Sequence, residues 1–312
     1  MNNKKVVVTG GAGFIGSHLA TELVNRGCEV IVIDNLYTGK LENIEHIKSD
    51  ITFIKEDICN TKNLIKILDG VDVVFHQAAI PSVPRSHEDP HGTNRTNIRG
   101  MKSVLTAVHE TGVPRVVYAS SSSVYGDSPT LPKHENMPVS PLSRYALQKV
   151  TDEHYAKGFT QKHSVETVGL RYFNVFGPRQ DPDSEYSAVI PLFIKKMLRG
   201  ESPTIFGDGE TSRDFTHVSN VVHANILASE AENISGEVFN VALGDRVSLN
   251  ELVSSINKIL GKNISVKYEN FRPGDVLHSQ ADIEKAKKSF GFREVVNFEE
   301  GLRKTIESLR QN

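Results

Sequence analysis

Through the first half of the chain, short runs of β-branched residues alternate with stretches of helical periodicity, the pattern of βαβ units around a parallel sheet. Residues 5–8, 30–33, 52–55, 71–76 and 115–120 read as strands, and 14–26, 61–68 and 96–110 as the helices between them. Gly27 and Gly112 follow the first and last of these helices, where a left-handed cap is wanted, and Pro114 prevents continuation. A long helix over 143–163 and a strand over 166–173 come next. The alternation then breaks into segments rich in Gly, Pro and Asp, such as Gly177-Pro-Arg-Gln-Asp-Pro-Asp183. Past the break, 188–198, 218–231, 249–260, 283–289 and 299–309 read as helices and 237–241 as a strand. The pattern predicts an α/β fold: a Rossmann-type doubly wound parallel sheet with a smaller mixed α/β region for substrate. Residues 1–173 and 216–243 are expected in the sheet domain, and 174–215 with 244–312 in the smaller one.

Composition narrows the partners. A chain of 312 residues, 38% hydrophobic and 24% charged, can bury a large core. Its 36 basic and 38 acidic side chains leave a net charge of -2, so no general polyanion-binding field is implied and nucleic acid is not expected. No apolar run reaches membrane-spanning length, and the valines after Met1-Asn-Asn-Lys-Lys are too few for a signal-peptide core. Cys28 and Cys59 form no CxxC and no metal spacing. Both read as reduced packing thiols, and a cytoplasmic location is expected.

Chemistry begins at Thr9-Gly-Gly-Ala-Gly-Phe-Ile-Gly16, which follows a predicted strand and opens a predicted helix. Gly11, Gly13 and Gly16 satisfy Gly-x-Gly-x-x-Gly, and Gly10, Gly13 and Gly16 satisfy Gly-x-x-Gly-x-x-Gly. Glycine is needed because the backbone must turn sharply and approach a pyrophosphate, while free N–H groups at the helix start bind its charge. Asp34 ends the second predicted strand, where a carboxylate accepts the adenosine ribose hydroxyls and repels a 2′-phosphate. No arginine stands in Asp34-Asn-Leu-Tyr-Thr-Gly39, so the expected cofactor is NAD rather than NADP.

Tyr145 and Lys149 lie four apart in Ser143-Arg-Tyr-Ala-Leu-Gln-Lys149 and share one face of the predicted helix. An ammonium beside a phenol favours the phenolate, the state a general base needs. Alone, such a pair also describes an ordinary solvated face. Its company decides otherwise: the glycine fingerprint, and the strand end Ala119-Ser-Ser-Ser-Ser-Val-Tyr-Gly126, placed where open α/β sheets bind ligands.

With these residues in hand, the chain resembles the extended short-chain dehydrogenase/reductase family, and within it the UDP-sugar 4-epimerases acting on UDP-glucose or UDP-N-acetylglucosamine. The resemblance runs the whole length, through Glu56-Asp-Ile58, His76-Gln-Ala-Ala79, Leu170-Arg-Tyr-Phe-Asn174, Gly207-Asp-Gly-Glu-Thr-Ser-Arg-Asp-Phe215 and Arg272-Pro-Gly-Asp275. It implies a tightly held NAD, Tyr145 as acid and base at the sugar hydroxyl, Lys149 on the nicotinamide ribose, and Ser121 bonded to the reacting oxygen. Around the dinucleotide it implies Gly10, Gly13, Phe14, Ile15, Gly16, Asp34, Asn35, Leu36, Tyr37, Thr38, Gly39, Asp57, Ile58, Gln77, Ala78, Ala79, Asn97 and Phe173. Around the UDP-sugar it implies Ser121, Ser122, Asn174, Val189, Phe206, Arg213, Arg272, Asp275 and Ser279. Arg213 and Arg272 would clamp the pyrophosphate, and Asp275 would hold the uridine ribose. Ser279 is small, which in this family leaves room for a 2-acetamido group. A homodimer packed through the helices at 96–110 and 143–163 is implied as well.

His87-Glu-Asp-Pro-His91 spells a zinc-protease motif, but that chemistry needs an unbroken helix and Pro90 interrupts it, so no metal is expected. Two rivals share the early motifs. A 4,6-dehydratase or UDP-glucuronate decarboxylase would carry acidic residues after the catalytic hydroxyl, where this chain has Ser122 and Ser123. A noncatalytic NAD-binding regulator would lack the Tyr145 and Lys149 pair.

Overall fold

The computed structural model of the chain describes residues 1–183, 188–271 and 276–311. Six strands come first: β1 (Lys5–Thr9), β2 (Glu29–Asp34), β3 (Ile51–Lys55), β4 (Val73–His76), β5 (Arg115–Ser121) and β6 (Glu166–Tyr172). The chain then makes short strands β7 (Val175–Phe176), β8 (Thr204–Phe206), β9 (Ser212–Arg213) and β10 (Thr216–His217), and returns to the sheet as β11 (Glu237–Val241). Two more, β12 (Val247–Ser248) and β13 (Lys267–Glu269), follow. The main sheet is parallel throughout, in the order β11-β6-β5-β4-β1-β2-β3. The order reverses between β1 and β4, and a crevice opens beyond their carboxyl ends, where such sheets take ligands.

Strand side chains alternate between two covers, which is why the strands read as unbroken apolar runs. Val6, Val8, Val30 and Val32 pack with α1 (Phe14–Asn25). Val7, Ile31 and Ile33 point the other way, into a core shared with α2 (Thr61–Ile67). Between β4 and β5 lie α3 (Val83–Glu88), α4 (Pro90–Asn94) and α5 (Gly100–Thr111), and α6 (Arg144–His163) leads into β6. The remaining helices are α7 (Val189–Leu198), α8 (Val218–Glu230), α9 (Leu249–Leu260), α10 (Glu284–Phe290) and α11 (Phe298–Gln311). A third core joins α7, α9 and α11 through Phe193, Ile194, Leu252, Ile256, Leu302 and Ile306. Around it, β7 pairs with β10, β8 with β13 and β9 with β12.

Two stretches differ from expectation. The helix read over 96–110 is α5 preceded by a π-helical turn, Arg95–Arg99, and by α4. α3, unanticipated, starts where Ser82 accepts the Arg85 N–H and proline stands in the first turn, both helix-start signals. The chain breaks between α3 and α4 at Asp89, whose φ of -123° and ψ of 73° are not helical, as Pro90 requires.

Candidate active site

The glycine turn is built by close approach. A Cβ on Gly10, whose φ is +66°, would lie 2.6 Å from the Ala78 Cα, and one on Gly16 would lie 2.1 Å from the Gly10 carbonyl oxygen. No larger residue fits either place. Gly13 caps α1, so the helix begins with free N–H groups facing the crevice. Asp34 is 8% exposed and accepts the Ala12 and Leu36 N–H groups at 3.0 and 2.8 Å. Burial raises its pKa, and those two donors oppose the rise.

A cleft opens above this turn. Of the residues expected around a dinucleotide, Gly10, Gly13, Phe14, Ile15, Gly16, Asp34, Asn35, Tyr37, Thr38, Ile58, Gln77, Ala78, Ala79, Tyr145 and Lys149 line it. Five others stand back from the wall. Leu36 packs on the first core, and Gly39 sits under the Asp34 carboxylate. Asp57 is ion-paired with Arg95 at 2.7 Å, and Phe173 is buried against Tyr125. Asn97 bonds the Ile80 N–H at 2.8 Å. Sequence reading missed Ile33, Glu56, Ile80, Pro81, Thr96, Ala119, Ser120 and Tyr172, which also line the cleft. Position at a strand end could have found Ala119, Ser120 and Tyr172.

Lys149 is 4% exposed, and its Nζ donates to the Ala119 carbonyl at 3.0 Å and to Asp152 Oδ2 at 3.2 Å. Burial works against its charge, but Asp152, Tyr145 and Glu153 together hold its pKa above the ordinary ammonium value. The first turn of α6 is fixed from outside the helix: Ser86 Oγ accepts the Tyr145 N–H at 3.2 Å, and Ser143 Oγ caps Ala146 at 3.1 Å. Among the four serines, Ser120 Oγ is committed to Glu153 at 2.6 Å. Ser121 Oγ accepts the Ser123 N–H at 3.2 Å and the Ser123 hydroxyl at 2.9 Å, which leaves its own proton to donate. Ser122 begins a 3-10 turn, Ser122–Tyr125. Neither Ser121 nor Ser122 lines the cleft.

A second hollow is lined by Asn174, Val189, Phe206 and Arg213 as expected, and by Phe176, Phe193, Phe215 and Leu249 among residues not foreseen. Tyr172 lines the first hollow and Asn174 the second, two residues apart, so the two adjoin. Arg213 Nη1 donates to the Ser212 and Leu277 carbonyls at 3.0 and 3.1 Å. Ser279 does not line the hollow; its Oγ accepts Asn174 Nδ2 at 3.0 Å. Arg272 and Asp275 lie outside the described residues. His87 and His91 fall on separate helices, and the described residues contain no cluster of three or more metal-ligating side chains.

This geometry agrees with what the chain is similar to. The model of the NAD dependent epimerase/dehydratase family matches residues 6–242. The chain belongs to that family. It is similar to a putative UDP-glucose 4-epimerase of Methanocaldococcus jannaschii, 38% identical over 98% of this chain and 99% of that one. Another relative is a UDP-N-acetyl-alpha-D-glucosaminuronate decarboxylase of Bacillus cytotoxicus, 34% identical over 99% and 98%. A solved structure, the UDP-N-acetylglucosamine 4-epimerase of Methanobrevibacter ruminantium in complex with UDP-N-acetylmuramic acid, superposes with a TM-score of 0.95. It is 44% identical and covers 100% of this chain and 99% of its own. In this epimerase/dehydratase the NAD of the family name has its place: a cradle that a single Cβ would fill, and a buried carboxylate at the end of β2.

Proposed function

We propose that the protein is an NAD-dependent UDP-hexose 4-epimerase that accepts 2-acetamido sugars as well as plain ones. The observation that carries this is the placement of Tyr145 and Lys149, one helical turn apart, on the wall of the cleft that the glycine turn opens. Bound NAD supplies a reversible two-electron acceptor for carbon four of the hexose. Tyr145 takes the proton from the 4-hydroxyl and returns it after the 4-keto sugar has presented its other face. The Lys149 ammonium favours the phenolate that this requires. Ser121 donates a hydrogen bond to the reacting oxygen, with Ser122 beside it. Arg213 and Asn174 hold the pyrophosphate while the sugar turns, and the apolar hollow with Val189 and Phe206 takes the uracil. Arg272 and Asp275 are assigned to the pyrophosphate and the uridine ribose on the family resemblance. Ser279, small and tied to Asn174, leaves room for the acetamido group.

The decarboxylase and dehydratase reading needs a carboxylate beside the reacting carbon, and Ser122 and Ser123 supply hydroxyls there. We assign the protein to the cytoplasm as a homodimer packed through α5 and α6, where Leu147 stands 55% exposed. Among the described residues no helix is long and apolar enough to cross a membrane. Residues 1–173 with 216–243 form the NAD half, and 174–215 with 244–312 the nucleotide-sugar half. The deciding experiment incubates the purified holoenzyme with a panel of UDP-sugars and separates the products. Epimers of unchanged mass are expected from both UDP-glucose and UDP-N-acetylglucosamine. Loss of mass rejects epimerisation, and turnover of UDP-glucose alone rejects the roomy pocket. Tyr145→Phe is expected to lower kcat by about 10²–10⁴-fold; an unchanged rate would favour the noncatalytic regulator.

A further inference from the structure

Asp152 has no part in the reaction just described, yet it is one of the most deeply buried charges in the protein. It lies three residues after Lys149 on α6, and that spacing puts both side chains on one helix face. Asp152 is 2% exposed, and its Oδ2 stands 3.2 Å from Lys149 Nζ. Its Oδ1 is buried and has no hydrogen-bond partner among the described residues.

The charged and titratable groups around this pair come from four elements. On α6 the neighbours are Tyr145 and Glu153. The Glu153 carboxylate is already engaged by Arg171 of β6, through Nε and Nη2 at 2.8 and 2.7 Å, and by Ser120. On β4, His76 is bonded through Nδ1 to Thr9 Oγ1 at 2.7 Å, and its burial keeps it neutral. On β5, Tyr118 is fully enclosed, and burial raises its pKa well above the ordinary phenol value. Asp152 is therefore the carboxylate that meets the lysine directly.

We propose that Asp152 is a positioning residue: the counter-ion that fixes Lys149 against β5 and subtracts from the field the ammonium exerts on Tyr145. It thereby sets the pH at which the phenol serves as base. An ammonium with a buried carboxylate at contact distance presents much of a dipole to its surroundings, and a phenol one turn away feels less than a full positive charge. Removing the negative charge leaves Lys149 unopposed. The Tyr145 phenolate is then favoured at lower pH, and Lys149 itself releases its proton at lower pH. Burial raises the Asp152 carboxyl above the ordinary carboxylate range while Lys149 pulls it back.

The inference rests on the roles given above to Tyr145 and Lys149, and two measurements separate the claims. The first is kcat/KM against pH for the wild-type holoenzyme, Asp152→Asn and Asp152→Glu. Both limbs are expected to move to lower pH by about one unit in Asp152→Asn, and Asp152→Glu, which keeps the charge, is expected to restore most of the wild-type profile. The second is the ultraviolet signal of tyrosinate, taken as the difference from Tyr145→Phe, which needs no turnover. Its midpoint is expected to fall with the kinetic limb. Unmoved profiles and midpoints in a folded Asp152→Asn protein overturn the inference. Asp152→Ser, smaller and uncharged, carries the same expectation should Asp152→Asn not fold. A shifted midpoint in protein that epimerises nothing leaves the counter-ion standing and sinks the proposed activity; epimerisation with an unshifted midpoint does the reverse.

Discussion

At the scale of single residues, His76 shows how burial alone can assign a charge state. The ring is 5% exposed, and burial with the nearby Lys149 lowers its pKa from 6.5 to about 3. The unfolded chain takes up this proton near pH 6.5 and the folded chain only near 3. Its contribution to stability is therefore complete above 6.5 and is lost as the pH falls through that window, at up to about 1.4 kcal/mol per unit. In urea unfolding between pH 7 and 4, His76→Asn is expected to lose less stability on acidification than the wild type. Identical slopes would show that His76 already carries its proton in the fold. The glycines, Asp34, Tyr145 and Lys149 were legible in the sequence because each must be one residue type at one spacing. Leu36, Gly39, Asp57, Asn97 and Phe173 belong to the same motifs but stand one layer back, and a motif does not distinguish wall from support. The apolar wall of the second hollow was missed for a different reason: Phe176, Phe193 and Phe215 look like any core residue until the chain is folded.

At the scale of elements, the long strands and helices matched their periodicity to within a residue or two, α5 apart, which begins four residues after the expected start, while β7 to β10, β12 and β13 escaped it. Runs of two or three residues carry no period, and their partners lie far along the chain, as Ser248 does from Ser212. The segment from Ile80 to Asn97 was the other gap. It is held to α6 by Gln148, whose Nε2 donates to Thr93 Oγ1 at 3.1 Å and Asn94 Oδ1 at 2.7 Å. Gln148 Oε1 accepts Asn97 Nδ2 at 2.7 Å. Gln148, Thr93 and Asn97 are buried while Asn94 is exposed, so Gln148→Ala is expected to cost about 1–3 kcal/mol by stranding the two buried partners. Because Ile80 and Pro81 form part of the cleft wall, kcat is expected to fall as well. Equilibrium unfolding and steady-state rates check both, and an unchanged unfolding midpoint would contradict the tie.

At the scale of the whole molecule, one buried carboxylate gathers three distant stretches of chain. Asp214, fully enclosed, accepts the N–H groups of Leu243 and Gly244, just past β11, at 3.0 Å each, and that of Ala281 at 3.1 Å. Ala281 follows closely on Ser279, and Asp214 adjoins Arg213, so this hub sets the second hollow against the sheet. Asp214→Asn replaces one acceptor oxygen by a donor facing N–H groups. It is expected to lower stability by about 1–3 kcal/mol and to raise KM for the UDP-sugar more than it lowers kcat. A fall in kcat with KM unmoved would instead tie Asp214 to the chemistry.

The strand order also dictates a timetable. β6 finds its outer neighbour in β11, some seventy residues downstream, so during synthesis Val168 and Leu170 wait on an open sheet edge until residues 237–241 leave the ribosome. Until then the nascent protein offers a sticky, unpaired border to any other unfinished chain nearby, and it is over this interval that a chaperone would have most to protect.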